Sequence, residues 1–130
     1  MSAPPRVMVV DDNAMNVVLA QTVLEADGLS VAAAANAAEA LALLGRFAPD
    51  LLLMDIQLPG MDGLALARQL KADPATRHIV IVAFTAFAMR GDEERMRSAG
   101  CDGYISKPIN VHLFAAQVRA CLEAARQAGG

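Results

Sequence analysis

The stretch Leu51-Leu52-Leu53-Met54-Asp55-Ile56-Gln57-Leu58-Pro59-Gly60 is an apolar run that delivers one carboxylate and then breaks at Pro-Gly. Four apolar residues without polar alternation predict a strand covered on both faces, as in a parallel sheet with helices above and below it. An ionised Asp at the end of such a strand is costly unless something binds it. Carboxyl ends of parallel strands are also where α/β proteins place their ligands. The question is what Asp55 is for.

The same logic recurs on either side. Val7 to Val10 is a short apolar run ending at Asp11-Asp12, and Asn13 fits the N-cap of a helix with Met15, Val18, Leu19, Thr22 and Val23 on one face. Gly28 suits the residue that closes this helix. Leu29 to Ala35 contains consecutive alanines, a helical composition by propensity. Its first part is nevertheless expected as a strand, because a helix there would leave two helical segments with no sheet connection between them. Asn36 and Glu39 form a capping pair that opens a helix through Leu41, Leu43 and Leu44 to near Pro49.

Beyond the central run, Pro59-Gly60-Met61-Asp62-Gly63 is turn chemistry and Leu64 to Ala72 resumes helical spacing. Ile79 to Phe84 is a second continuous apolar strand, ending at Thr85. A charged helix from about Met89 to Ala99 closes at Gly100, and Tyr104-Ile105-Ser106 forms a last short strand before Lys107-Pro108. Asn110 then caps a final helix bearing Leu113, Val118 and Leu122, with His112 one turn into it. Five alternating βα units joined by right-handed crossovers make a doubly wound α/β sandwich.

A chain of 130 residues is the size of one domain with its own core, expected to span 1–130 with the core in 6–124. Eleven basic against 14 acidic residues give a net charge of −3 with no basic block, which argues against direct nucleic-acid binding. The start has no signal-peptide core and no run approaching the roughly 18 apolar residues of a membrane span, so a soluble cytoplasmic protein without membrane contact is expected. Cys101 and Cys121 have no further soft ligand near them in sequence and read as buried or idle thiols.

Asp11-Asp12, Asp55, Thr85 and Lys107 each follow a different predicted strand, so a doubly wound sheet would gather them along one edge. Three carboxylates together raise one another's pKa unless a cation lies among them. Mg²⁺ suits that place, because it takes oxygen ligands from one or two carboxylates and keeps waters for an incoming phosphate. Its two charges with that of Lys107 balance the three carboxylates. A carboxylate is a competent nucleophile toward a phosphoryl group, whose oxygens a metal and a lysine would neutralise. Thr85 would then supply a hydroxyl able to swing toward the added charge.

In this order, with 30 residues from Asp55 to Thr85 and 22 from Thr85 to Lys107, the chain resembles the CheY-like receiver domain of bacterial two-component response regulators. Leu58-Pro59-Gly60-Met61-Asp62-Gly63 also fits the family's loop. The resemblance implies a flavodoxin-like (βα)5 sandwich with a five-stranded parallel sheet in the order 2-1-3-4-5. It makes Asp11 and Asp12 the acidic pair that holds Mg²⁺, Asp55 the phosphoacceptor and a metal ligand, and Gln57 a further ligand through its backbone carbonyl. Thr85, followed by the small Ala86, becomes the switch hydroxyl. Lys107, before a cis proline, becomes the phosphate-contacting lysine, and Tyr104 the switch aromatic. Gln57 and Phe87 stand where the family varies and where the lifetime of the phosphoryl group is tuned.

The implied activity is Mg²⁺-dependent acceptance of a phosphoryl group from a histidine kinase or histidine phosphotransfer protein. Beyond its own phosphorylation and slow autodephosphorylation, the domain would catalyse nothing. Output would pass to a protein target in trans through the face formed by the fourth helix, last strand and last helix. Within the family, residues 85–95 resemble a stand-alone regulator of the cell cycle, and the end of the chain just after the last helix agrees with a stand-alone protein. The alternative is a receiver fragment of a larger regulator or hybrid kinase. An aspartyl-phosphate phosphatase of the haloacid dehalogenase type would want a second Asp where Gln57 stands. An FMN carrier would want a Ser/Thr/Gly-rich loop in place of Asp11-Asp12. A phosphorylation-independent scaffold also remains open. Taken singly, Asp11 and Asp12 would be turn residues, and His78 and His112 surface residues.

Overall fold

The computed structural model describes residues 4–58, 61–86 and 90–129. Strands β1 (Arg6–Val10), β2 (Ser30–Ala34), β3 (Leu51–Asp55), β4 (Val80–Thr85) and β5 (Gly103–Ser106) alternate with helices α1 (Ala14–Ala26), α2 (Ala37–Phe47), α3 (Gly63–Ala72), α4 (Arg90–Ser98) and α5 (Phe114–Gly129). The strands form one parallel sheet in the order β2-β1-β3-β4-β5. This is the flavodoxin-like order expected from the sequence. Among the described residues, no helix is long and apolar enough to cross a membrane.

The continuous apolar runs are explained by two cores, one on each face of the sheet. Alternate residues Val7, Val9, Leu51, Leu53, Val82 and Phe84 meet Ala20 and Leu24 of α1 and Phe114, Val118 and Leu122 of α5. The intervening Met8, Val10, Leu52, Met54, Ile81 and Ala83 meet Ala40 of α2, Leu66 and Leu70 of α3 and Met96 of α4. With both faces covered, neither set of alternate residues can be polar.

Local signals act as read. Asn13 Oδ1 accepts from Asn16 N at 3.2 Å at the start of α1. In α2, Asn36 Oδ1 accepts from Glu39 N at 2.9 Å, and Glu39 Oε1 accepts from Ala35 N at 2.8 Å. Gly28 and Gly100 close α1 and α4 with φ of 89° and 100°, where a Cβ is disfavoured. The alanines of β2 pair with β1 in register, Val9 opposite Ala33, so sheet pairing overrides their helical propensity.

Two expectations are corrected. Met15, Val18 and Leu19 do not face the core but are 80%, 60% and 38% exposed, and α1 buries Ala20 and Leu24 instead. The helix carries apolar residues nearly all round, so periodicity alone could not choose its face. At the other end, Leu113 is exposed and Phe114 is the buried residue. Asn110 opens a turn, its Oδ1 accepting from His112 N at 3.0 Å, and α5 begins only at Phe114, so His112 precedes the helix.

Candidate functional site

The carboxyl ends of β1, β3, β4 and β5 bring Asp11, Asp55, Thr85 and Lys107 to one edge of the sheet. Lys107 is placed by its backbone, whose N–H donates to Thr85 O at 2.8 Å, and by the following peptide to Pro108, which is cis as expected. Its ammonium lies 4.9 Å from the centroid of the Phe84 ring, itself 5.9 Å from that of Phe114. An apolar floor thus supports the side chain and directs its charge across the sheet edge.

Lys107 Nζ reaches Asp11 Oδ2 at 2.9 Å and Asp55 Oδ2 at 3.0 Å, bridging β1 and β3. Burial opposes the ammonium charge, but hydrogen bonds and Coulomb attraction from Asp11 and Asp55 outweigh it and hold the Lys107 pKa above its ordinary value. The lysine is therefore a fixed cation here.

Asp11 is the most enclosed of the carboxylates, its side chain being 0% exposed. Oδ1 accepts from Asn13 N at 2.9 Å, and Oδ2 accepts from both Lys107 and, at 3.3 Å, Asn16 Nδ2. Asp11 thus also makes the turn expected of a strand-to-helix Asp. Asp55 is buried at the end of β3, while Asp12 is exposed. One carboxylate oxygen from each of Asp11, Asp12 and Asp55 falls within 4.8 Å of the others. Three hard oxygens on adjacent loops, with the Gln57 backbone two residues beyond Asp55, form a donor set suited to a small hard cation such as Mg²⁺.

The wall beyond Asp55 depends on Gly63. Gln57 and Leu58 pair antiparallel with Asp62 and Met61, Gly63 N donates to Ile56 O at 3.0 Å, and Asp62 caps α3 by accepting from Leu64 N at 2.9 Å. A Cβ on Gly63 would lie 2.5 Å from Asp55 O and 2.7 Å from Ile56 Cα. Only glycine lets α3 start this close to the end of β3.

Thr85 is buried at the end of β4, in register with Ser106. Tyr104 is not part of this cluster: it lies on β5 and is 40% exposed. It borders a cavity of about 230 Å³ that is also lined by Met96, Cys101 and Cys121. Cys101 is buried, and desolvation raises its pKa to about 11, while burial likewise raises that of Cys121, so both thiols stay protonated. His78 and His112 are exposed, as expected. Phe87 and Met89 lie outside the described residues.

Asn13, Asn16, Gly63 and Phe84 were not singled out as site residues in the sequence. A recoverable signal was Asn16 three residues after the cap Asn13, the spacing at which a side chain reaches back over a helix start. With the site's carboxylates and lysine in this array, the profile of the response regulator receiver domain matches residues 7–119. The chain belongs to the response regulator receiver family.

Among relatives of this receiver, the polar-differentiation response regulator DivK of Brucella anthropi is 48% identical over 119 residues, 92% of this chain and 97% of that protein. DivK of Brucella ovis is 47% identical over 116 residues, 89% of this chain and 94% of that protein. A CheY-like response regulator receiver domain protein from Methanospirillum hungatei superposes with a TM-score of 0.84 at 27% identity, covering 95% of this chain and 98% of that one. Chemotaxis response regulator CheY4 of Vibrio cholerae, at 21% identity, shares the fold with a TM-score of 0.85, covering 91% of this chain and 98% of that one.

Proposed function

We propose that this receiver accepts a phosphoryl group on Asp55 from a histidine kinase or histidine phosphotransfer protein, with Mg²⁺, and changes its protein contacts in response. The observation that carries the reading is the Lys107 ammonium held between Asp11 and Asp55, 2.9 and 3.0 Å away, beside three carboxylates that converge within 4.8 Å. Phosphoryl transfer suits such an array, because it relies on positioning and charge neutralisation.

An Asp55 carboxylate oxygen attacks phosphorus; the new P–O bond forms as the donor's P–N bond breaks, and the departing imidazole keeps the electron pair and takes up a proton. Asp11, Asp12, Asp55 and the Gln57 carbonyl would hold Mg²⁺, which neutralises phosphoryl oxygen charge when bound. Lys107 supplies the protein's own cation to the transferred group. The product carries about one more negative charge than the carboxylate it replaces. Thr85, buried next to the strand that bears Lys107 and tied to it through the backbone, answers that charge with its hydroxyl. The shift passes to β5, where Tyr104 stands half-exposed on the α4–β5–α5 face. Such a change is a bias on a two-state surface by a local charge.

The apolar residues Met15, Val18 and Leu19 lie exposed on α1, immediately after Asp11-Asp12. Val111 and Leu113 are exposed in the loop after Lys107, and Val111 lines a groove with Thr22 and Val23 of α1. An apolar surface around a phosphoacceptor suits an amphipathic helix that presents a phosphohistidine. The relatives' names favour a response regulator, which on this proposal acts in the cytoplasm on a protein target reached in trans.

Incubation with Mg²⁺ and acetyl phosphate, read by mass spectrometry, tests the assignment. One phosphoryl adduct on Asp55 in the wild type and none in Asp55→Asn is the expected result. Equal labelling of the two proteins overturns it.

A further inference from the structure

The two helices that open on an asparagine cap differ in the residue three after the cap. In α2 the cap Asn36 is followed three residues later by Glu39, whose carboxylate reaches back to Ala35 N at 2.8 Å. In α1 the cap Asn13 is followed three residues later by Asn16, and the first turn carries no acidic residue. An acid there would favour the helix, by capping and by the helix dipole. The α1 cap is already made by the Asn16 backbone N–H, which donates to Asn13 Oδ1 at 3.2 Å. The Asn16 side chain instead donates Nδ2 to Asp11 Oδ2 at 3.3 Å.

Asp11 explains the choice. Its buried carboxylate takes Asn13 N on Oδ1 and shares Oδ2 between Lys107 and Asn16. Two of these three donors are neutral and come from the cap and first turn of α1; the third is a cation shared with Asp55. A glutamate at position 16 would place another negative charge against Asp11, and a lysine would compete with any metal. A carboxamide donates without doing either. We propose that Asn16 is a positioning residue for the metal site: it fixes the Asp11 carboxylate from the helix side, so that an incoming cation need displace only Lys107 from Oδ2 and α1 stays in place. The inference rests on the Mg²⁺-dependent reading given above. Groups that orient a first ligand typically contribute 10- to 100-fold to metal affinity.

The test is calorimetric titration of Mg²⁺ into wild type, Asn16→Leu, Asn16→Ala and Asp11→Asn, with the thermal midpoint of each metal-free protein measured alongside. Leu keeps the branched outline of Asn16 and Ala suits the helix; both lack the donor, and whichever folds decides the matter. The expected result is a Kd for Mg²⁺ raised about tenfold in the position-16 variants, with metal-free midpoints close to wild type. A merely structural role would lower the midpoint and leave the Kd unmoved, and that result overturns the inference, as does a Kd within twofold of wild type. If wild type binds no Mg²⁺ at millimolar concentration, the Mg²⁺-dependent function itself fails, and the inference with it.

Discussion

Gly63→Ala is the substitution for which the structure makes the sharpest demand. The added Cβ would stand 2.5 Å from the Asp55 carbonyl oxygen and 2.7 Å from Ile56 Cα, both backbone atoms that no rotamer change can move. To reach even a tight 3.0 Å contact with the oxygen, α3 and the end of β3 must part by about half an ångström. The Gly63 N to Ile56 O hydrogen bond of 3.0 Å spans the same gap and is stretched with it. Overpacking of this kind costs about 1–3 kcal/mol, against which alanine recovers about 0.5–1 kcal/mol through the unfolded chain. The midpoints of the two ranges leave a net loss of about 1 kcal/mol. Function should suffer more than stability, because the atoms displaced belong to Asp55 itself. A misplacement of about 1 Å costs roughly 100-fold in a positioned reaction, so half that shift corresponds to about a tenfold slower phosphorylation. Urea denaturation gives the first quantity and the initial rate of labelling by acetyl phosphate at saturating Mg²⁺ the second. A variant as stable and as fast as wild type would refute the argument that α3 can start here only on glycine.

Further outcomes follow from the same geometry. Lys107→Met leaves Asp11 and Asp55 facing each other without their cation; the metal-free protein should lose about 3 kcal/mol, at the low end of the cost of breaking a buried pair because Lys107 is only partly buried. Millimolar Mg²⁺ should then stabilise this variant more than wild type in thermal melts, and equal stabilisation would count against the charge balance. Cys101, whose pKa rises from 9.0 to about 11 on burial, is protonated in both folded and unfolded states below pH 9. Between pH 9 and 11 the unfolded chain releases its proton first, so roughly 2–3 kcal/mol of stability is lost across that window. The wild-type minus Cys101→Ala stability difference, followed from pH 8 to 11.5 by urea titration, should fall accordingly, and a flat difference would exclude the assignment. Leu19→Glu, on the exposed face of α1, should leave acetyl phosphate labelling within twofold of wild type while slowing transfer from a cognate phosphohistidine protein about tenfold or more. Equal slowing of both reactions would place Leu19 in the fold and not in docking.

How much of this was legible beforehand differs from one part of the chain to another, for physical reasons. The sheet was readable because burial on both faces makes β1, β3 and β4 continuously apolar, and the site because each strand ends in a residue that such a strand would not otherwise tolerate. Asp55 and Lys107 are far apart in sequence yet 3.0 Å apart in space, and the topology alone brings them together. The neutral holders of Asp11 were less visible, since an Asn inside a helix start resembles an ordinary capping residue. Periodicity groups Met15, Val18 and Leu19 on one face of α1 without showing that this face is the open one, and it places Leu113 in a helix that begins only at Phe114. The two failures differ in cause: Leu113 precedes α5 in a turn opened by Asn110, whereas α1 lacks a single apolar side. A helix that presents apolar residues to a core and to solvent alike has no single hydrophobic stripe, so pattern cannot tell the packed side from the open one. That condition is unfavourable for a chain with no further use for the open side, and it occurs on the helix that directly follows Asp11-Asp12. Local rules break where another requirement overrides them. On the proposed function, the exposed residues of α1 and of the loop after Lys107 would be covered by the phosphodonor, which gives their exposure a use.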